Sequence, residues 1–235
     1  MGRGGCAVTT RRSASPLDPH GDWQSLEVLF RAFPSTQRQR RAWRTTTIRV
    51  DAALAARGHH GLPALVPGLV HARVATALLA AGYRSKDELR ARSFCLLGCH
   101  AGLEVRILRD LGAGWVRGVE QRGDVVAEAV AAGLVTADAV WVGNYWDLLA
   151  RGALPLCDEM LVLAPERLPL GQLWEAAGPT IREGGHLVVV ATRADAEAVP
   201  AEAVSGPALE GTMRWHVLER SRDDLGHRQN LSAEA

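Results

Sequence analysis

Two glycines and one carboxylate, separated by a predicted strand, turn and helix, are the residues of this chain best placed to do chemistry. The segment SFCLLGCHAG carries an apolar run into Gly98 and Gly102, and the segment WVRGVE ends a second apolar run on Glu120. Glycine lets the backbone turn sharply and admits a ligand closely, because it has no Cβ. A carboxylate after the second strand of a βαβ unit is placed to accept hydrogen bonds from both ribose hydroxyls. The spacing therefore predicts a pocket for a nucleoside.

His100 lies inside the predicted turn and is the candidate catalytic residue. An imidazole titrates near neutral pH, so a histidine that faces a bound ligand can act as a general base. The alternative is that the ring only fills space in a loop of unusual shape. The sequence leaves both interpretations open.

The remaining histidines and the cysteines show no metal-binding pattern. His59 and His60 lie beside a glycine, and neither they nor His71 have a third ligand at suitable spacing, so a surface loop is favoured over a metal site. The cysteines lack paired CxxC spacing, and they are Cys6, Cys95, Cys99 and Cys157. Buried reduced thiols and a cytoplasmic location are therefore expected, with no metal.

Length and charge narrow the classes of protein further. A chain of 235 residues can bury one full core, and no apolar run approaches the roughly 20 residues that span a bilayer. Residues 1–22 have no apolar signal segment and are predicted to be a disordered tail. Residues 1–60 hold ten arginines against four acidic residues, although the whole chain has a net charge of +1. This basic part is interpreted as a lid, a docking element, an anion-binding flap or a solvated helix.

Residues 23–91 are predicted to form a helical N-terminal cap. Apolar periodicity and the glycine and proline positions place helices at Trp23–Phe33, at Val66–Ala81 and at Lys86–Ala91. A further helix begins at Gln37 with Ser35 as its cap and ends at Gly58 or Gly61. Nothing in this part of the sequence indicates a strand.

Residues 92–235 alternate between strand and helix patterns, which is typical of a parallel doubly wound sheet. The predicted strands are Ser93–Leu97, Trp115–Glu120, Ala139–Gly143, Glu159–Leu163 and His186–Thr192, and the helices are Leu103–Gly112, Asp124–Ala132 and Leu170–Arg182. Two further segments, Thr212–Arg220 and Gly226–Leu231, predict an antiparallel hairpin at the sheet edge. The expected fold is α/β, a Rossmann-like, mostly parallel sheet with an antiparallel C-terminal hairpin and a helical N-terminal cap.

Over about residues 85–231 this layout resembles the class I S-adenosylmethionine-dependent methyltransferases. GCHAG stands where that family has GxGxG, Glu120 matches its ribose-binding acid, and GNYWDLL matches the segment that brackets adenine. IREGGHLVVV is similar to the family's entry into its fifth strand. The resemblance implies S-adenosylmethionine as the cofactor, held by Gly98, Cys99, His100, Gly102, Glu120, Gln121, Asn144, Tyr145 and Trp146.

The chain departs from the family pattern at three positions. The acid that usually stands two residues before the first glycine is Leu96, the middle glycine is His100, and the adenine-contacting acid is Asn144. An asparagine carbonyl can still accept a hydrogen bond from an amine. A dinucleotide site is disfavoured, because GxGxxG would need glycine at positions 100 and 103, which hold His100 and Leu103.

The acceptor is expected to be a small molecule of specialised metabolism. Glu166 and Arg167 follow the fourth predicted strand, where the family places acceptor-facing residues, although a solvated loop is the alternative. The N-P-P-Y motif of amine methylation is absent there. The basic stretch at 38–44 could contact RNA, but the chain lacks a separate RNA-binding module, so a lid helix is preferred. No membrane partner is expected, a nucleic-acid partner is disfavoured, and a homodimer is left open.

Two rival functions stay open. Some relatives of this fold attack the γ-carbon of S-adenosylmethionine, in cyclisation or in aminocarboxypropyl transfer, and release methylthioadenosine. Leu96 suits such chemistry, because the ligand's amine must then be free to react. The other rival is a non-catalytic subunit of the same fold.

Overall fold

The computed structural model describes residues 25–59, 65–163, 168–192, 200, 202–208 and 213–221. The helices of this part are α1 (Leu26–Ala32), α2 (Gln37–Ala56), α3 (Pro67–Ala80), α4 (Leu103–Asp110), α5 (Gly123–Ala131), α6 (Tyr145–Ala150) and α7 (Leu170–Ala177). The strands are β1 (Ser93–Leu97), β2 (Trp115–Glu120), β3 (Val140–Val142), β4 (Cys157–Leu163), β5 (Ile181–Thr192), β6 (Val204–Ala208) and β7 (Met213–Glu219). None of the described helices is both long and apolar enough to cross a membrane.

The seven strands form one sheet in the order β3-β2-β1-β4-β5-β7-β6. Strands β1 to β5 are parallel, and β7 runs antiparallel to both of its neighbours, β5 and β6. The predicted Rossmann-like, mostly parallel sheet with an antiparallel hairpin is confirmed. The strand order reverses between β1 and β4, and ligands of open α/β sheets bind at the carboxyl ends of the strands beside such a reversal.

Alternating side chains of the strands pack into two separate hydrophobic cores, one on each face of the sheet. In β1, Phe94 and Leu96 enter the core beneath α1 to α5, whereas Cys95 and Leu97 enter the core beneath α6 and α7. A parallel sheet covered on both faces needs such apolar strands, because each face is buried. The sheet therefore lies between two helical layers, and only its edges are left for a ligand.

The N-terminal helices belong to the first of these layers. The Trp43 indole N–H in α2 donates to Asp110 Oδ2, at the end of α4, over 2.7 Å. At the other end of α2, Arg57 pairs with Glu128 of α5. Helix α2 thus runs antiparallel to α4, and its C-terminal end reaches the carboxyl edge of the sheet. The domain boundary at residues 91 and 92 stays a prediction, although α1 to α3 share a core with β1 and β4.

Two predicted helix boundaries are wrong. The N-cap of α2 is Thr36 and not Ser35, because Thr36 Oγ1 accepts from the Gln39 N–H while the Gln39 side chain accepts from the Thr36 N–H. This reciprocal pair is a capping box. The helix predicted to reach Arg182 ends at Ala177, because Pro179 follows in a short 3₁₀ turn and β5 already begins at Ile181.

The hairpin at the sheet edge uses an unexpected partner. The predicted strand over 212–220 is confirmed as β7, but its observed partner is β6, which precedes it in the chain. The sequence did not indicate β6, because Gly206 and Pro207 occupy two of its five positions and both are rare inside strands. The segment Gly226–Leu231 lies outside the described residues.

Candidate functional site

The turn after β1 has a tightly wound backbone at the carboxyl edge of the sheet. Gly98, His100 and Gly102 have φ values of +66°, +50° and +78°, and His100 is the only non-glycine residue with positive φ in the described part of the chain. The Cys99 carbonyl accepts from the Gly102 N–H over 2.7 Å, and Gly102 then caps α4. The predicted glycine turn is therefore present, and it bends through left-handed conformations that favour glycine.

Glu120 ties this turn to the end of β2. Its Oε2 accepts from the His100 backbone N–H over 2.8 Å, and its Oε1 accepts from the Arg122 backbone N–H over 3.0 Å. The residue is only 7% exposed. A carboxylate offers about four lone-pair sites, so two bonds to the backbone leave acceptor capacity for two ligand hydroxyls. Its placement is the one predicted, and it has a structural role that the sequence did not indicate.

The His100 ring is enclosed, and both of its nitrogens lack a partner. Nδ1 and Nε2 are buried, and neither makes a hydrogen bond among the described residues. Burial lowers the pKa of His100, and the nearby carboxylates of Glu120 and of Asp51 in α2 act in the opposite direction. A buried neutral imidazole keeps one nitrogen able to accept a proton. The ring of His100 therefore has nitrogens that no described residue occupies, and its role as a general base stays a prediction.

Sequence reasoning missed a second pair of polar residues beside the turn. Glu104 lies in the first turn of α4 and Arg73 lies on α3, and the two charges attract each other without forming an ion pair. Glu104 Oε2 and Arg73 Nε are both buried without a hydrogen-bond partner in the described part. Burial raises the pKa of Glu104 to about 7. Buried polar atoms are normally paired, so these two atoms are open to hydrogen bonds from a polar ligand.

Cys99 and Leu96 shape the site from below. The Cys99 N–H donates to the Val119 carbonyl over 3.1 Å, and its thiol is buried against Gly118. Both backbone groups of Cys99 are thus already bonded, to Val119 of β2 and to Gly102 of the turn, and its contact with a ligand stays a prediction. Leu96 is 2% exposed in the core, so β1 offers no carboxylate to the turn.

The residues predicted to bracket adenine lie at the start of α6, a helix that the sequence analysis did not assign. Asn144 is its N-cap, and Asn144 Oδ1 accepts from the Trp146 N–H over 2.8 Å. Tyr145 and Trp146 are half-buried, with ring centroids 5.3 Å apart, and Gln121 is exposed. The Gly143 N–H donates to the Glu120 carbonyl, which joins this segment to the end of β2. The predicted set therefore converges on one edge of the sheet.

The remaining candidates separate into three groups. His71 is 2% exposed, and its Nε2 lies 2.9 Å from the Phe33 carbonyl, so the expectation of a surface loop is wrong for this residue. His59 pairs with Asp124 at the start of α5. No group of metal-ligating side chains was found within the described ranges. His60, Glu166 and Arg167 lie outside those ranges.

A groove of about 540 Å³ lies at the other end of α4, lined by Arg106, Arg109 and residues 133–137. Its arginines bond to carbonyls and to Thr136, and Arg106 also pairs with Asp110. Because these groups already have partners, the groove offers a ligand less than the turn does.

Comparison with solved structures gives neighbours with a similar arrangement. A hypothetical protein from Thermus thermophilus is 16% identical with a TM-score of 0.47, over 68% of this chain and 89% of that one. An RNA methyltransferase from Salinibacter ruber, in complex with S-adenosyl-L-homocysteine, is 20% identical with a TM-score of 0.43, over 68% and 95%. A putative methyltransferase from Escherichia coli is 17% identical with a TM-score of 0.44, over 55% and 76%.

A further similar structure is a putative S-adenosylmethionine-dependent methyltransferase from Streptococcus mutans, and two of the similar methyltransferases hold S-adenosylhomocysteine. No protein-family model and no curated protein matches this sequence. With TM-scores below 0.5, these likenesses stand as similarities only. The fold assignment therefore depends on the strand order, and the function depends on the site.

Proposed function

We propose that this protein is an S-adenosylmethionine-dependent transferase whose ligand lies across the carboxyl ends of β1 and β2. The observation that carries the proposal is the set of buried, unpaired polar atoms of Arg73, His100 and Glu104 around a left-handed glycine turn. Leaving such atoms unpaired costs on the order of 1–3 kcal/mol each, so a ligand that pairs with them gains correspondingly.

The chemistry of the unpaired atoms fits the amino-acid end of that ligand. An α-ammonium group needs a carboxylate acceptor, which Glu104 supplies, and an α-carboxylate needs a guanidinium donor, which Arg73 supplies. These two residues replace the acid that β1 lacks at Leu96. Because they come from different helices, α3 helps to build the site.

The nucleoside end fits the other side of the turn. Glu120 holds the free lone pairs that two ribose hydroxyls would use, and the half-buried rings of Tyr145 and Trp146 offer an apolar surface to a base. Asn144 Oδ1 caps α6, and its second lone pair is left for an exocyclic amine.

The reaction that we propose is methyl transfer, for which the bound sulfonium supplies the electrophilic carbon. The protein's contribution to an in-line displacement is alignment in a dry pocket. His100 would accept the proton of an acceptor that carries one, since burial lowers the pKa of its ring and keeps it neutral. The acceptor predicted from the sequence is a small molecule, with Glu166 and Arg167 as its contacts.

γ-Carbon attack is the second candidate, and the unpaired carboxyl oxygen of Glu104 bears on it. If Glu104 holds the ammonium, that amine is not free to act as a nucleophile, which favours methyl transfer over cyclisation. Product analysis separates them, because methyl transfer leaves S-adenosylhomocysteine and γ-carbon attack leaves methylthioadenosine.

Calorimetric titration with S-adenosylhomocysteine and with methylthioadenosine tests the proposal, because only the first ligand has an amino-acid end. We expect Arg73→Met and Glu104→Gln each to weaken S-adenosylhomocysteine binding about tenfold or more and to leave methylthioadenosine binding unchanged. Asp87→Asn, which changes an exposed carboxylate in the turn before β1, is the matched control. If neither nucleoside binds the native protein, the proposal is wrong; if both variants weaken both ligands equally, the assignment of Arg73 and Glu104 is wrong.

A further inference from the structure

Four arginines on the outside of α2 have no partner among the described residues. Arg38, Arg41, Arg44 and Arg49 are exposed, and none of them makes an ion pair or a hydrogen bond with the rest of the described chain. Some exposed arginines elsewhere, such as Arg31 and Arg90, pair with an acid on the same short element. Within the described part of the chain, the outer face of α2 is therefore a concentration of unpaired positive charge.

The spacing of these residues places them on one side of the helix. Trp43, Thr47, Val50 and Leu54 form the buried side of α2. At 3.6 residues per turn, positions 38, 41 and 49 fall on the opposite side and position 44 at its margin. From Arg38 to Arg49 the rise is about 16 Å, so the charges form an elongated stripe. We call these four residues the α2 stripe.

The α2 stripe leads toward the candidate site. The start of α2 is bonded to Asp110 at the far end of α4, since Gln39 and Trp43 both donate to that residue. Beyond the stripe, Asp51 lies near His100 and His59 pairs with Asp124. A linear polyanion bound along α2 would thus pass from the amino edge of the sheet to its carboxyl edge.

We infer that the α2 stripe docks the phosphate backbone of a nucleic acid. Arginine binds phosphate through a fixed fork of N–H groups, and a row of unpaired arginines on one helix face is the footprint of such a ligand. A membrane surface fits less well, because binding in the interface needs an apolar face. Among the described residues, Ile48 is the one large apolar side chain of α2 that is exposed. An acidic protein surface fits less well for the same reason, because interface cores are apolar and aromatic.

This inference goes beyond the proposed cofactor site and does not depend on it. It departs from the expectation of a small-molecule acceptor, since an enzyme docked in this way has its carboxyl edge beside a nucleic acid. Contacts to phosphate alone carry no sequence information, so binding is expected to be independent of sequence.

The experiment measures binding of fluorescein-labelled single-stranded RNA and DNA of mixed sequence by anisotropy, without cofactor, between about 50 mM and about 200 mM salt. Four phosphate contacts predict a slope of log K against log salt near −3, which is about a 60-fold loss of affinity over that range. Changing all four stripe arginines to glutamine is expected to weaken binding at least tenfold at the lower salt and to bring the slope close to zero. Unchanged thermal unfolding shows that the variant is folded.

The stripe pair is Arg38→Gln with Arg41→Gln. Its control is Arg90→Gln with Arg151→Gln, which removes two exposed arginine charges outside α2. The stripe pair is expected to reduce the slope by about 1.5 and the control pair by much less. The inference is overturned if neither nucleic acid binds, if both pairs have equal effects, or if polyglutamate or anionic vesicles bind the native protein as tightly as RNA or DNA does.

Discussion

Glu120 Oε2 lies 2.8 Å from the backbone nitrogen of His100, so the side chain predicted to grip a ribose also fixes the turn on which the ligand would rest. Its other oxygen accepts from the Arg122 N–H. The two roles are compatible, because the backbone bonds aim the carboxylate and leave lone pairs unused. They also mean that loss of binding after a change at this position does not by itself demonstrate a sugar contact.

Replacing Glu120 by alanine is expected to lower the free energy of unfolding as well as ligand affinity. Two backbone N–H groups lose their acceptors, and each loss costs on the order of 1–3 kcal/mol. Urea denaturation measures the first effect and titration with S-adenosylhomocysteine the second. Glu219→Ala, at an exposed position in β7, is the control and should change neither. Unchanged stability in Glu120→Ala would contradict the structural role described here.

Two glycines of the turn should differ in their tolerance of alanine. Both have positive φ, which costs an L-residue about 1–2 kcal/mol. At Gly98 no atom beyond the neighbouring residues of the chain lies within 4 Å of the added Cβ, whereas at Gly102 the Cβ would lie 2.8 Å from Val135 Cγ1. Gly102→Ala is therefore expected to destabilise more than Gly98→Ala by about 1–3 kcal/mol. Thermal and urea denaturation test this order of stabilities. Adding Val135→Ala should reduce the destabilisation caused by Gly102→Ala and should not reduce that caused by Gly98→Ala.

The sequence was sufficient to predict the bounds of those strands that have strong local signals. β1 and β2 have the predicted bounds, because each is an apolar run that ends at a glycine or at a charged residue. β6 was missed because its glycine is selected by a distant contact, since a Cβ at Gly206 would collide with the Trp215 ring. Such a requirement cannot be read from local propensity.

The residues of the candidate site also divide into those that could be predicted from the sequence and those that could not. The position of Glu120 was predictable because it ends an apolar strand, and its contact with a ligand stays a prediction. Arg73 and Glu104 were not, because they are brought together by the packing of α3 on α4, and neither residue stands in a motif. The left-handed conformation of His100 is likewise set by the turn as a whole and not by the residue itself.

The raised pKa of Glu104 predicts a stability that falls as pH rises. Burial moves this pKa from 4.5 to about 7, so the folded state keeps the proton that the unfolded state releases. The contribution of the protonated Glu104 carboxyl to stability is complete below the pKa of the unfolded state. It is lost as the pH rises through the pKa of the folded state. The loss is on the order of 3 kcal/mol. Urea denaturation between about pH 5 and about pH 8 should show Glu104→Gln gaining stability relative to the native protein; parallel curves would contradict this.

The raised pKa of Glu104 also predicts that binding of the amino-acid end of S-adenosylhomocysteine releases a proton. Near pH 6 the Glu104 carboxyl is mostly protonated, and an ammonium partner favours the carboxylate. Calorimetric titration of S-adenosylhomocysteine in two buffers of different ionisation enthalpy should therefore give up to about one proton released per ligand. Methylthioadenosine serves as the control ligand and should release none. Equal proton release with both ligands would place the titrating group elsewhere.

A buried network at the other end of the sheet predicts a change in stability without a change in binding. The Tyr83 hydroxyl donates to Glu159 Oε1 over 2.5 Å, and Glu159 Oε2 lies 3.0 Å from His186 Nδ1. Burial, and next the Glu159 carboxylate, raise the pKa of Tyr83, which keeps the phenol a donor. Tyr83→Phe removes one hydrogen-bond donor from the Glu159 carboxylate, which is only 1% exposed. This loss costs on the order of 1–3 kcal/mol.

Urea denaturation of Tyr83→Phe, Glu159→Gln and the double variant measures this coupling. Glutamine still accepts from the phenol, so Glu159→Gln should retain a bond that Tyr83→Phe loses. Because Glu159 pairs with Phe94 near the start of β1, the network is remote from the turn after that strand. Affinity for S-adenosylhomocysteine should therefore stay within about twofold in Tyr83→Phe, since well-separated sites behave additively. A large loss of affinity would show that the two ends of β1 are coupled.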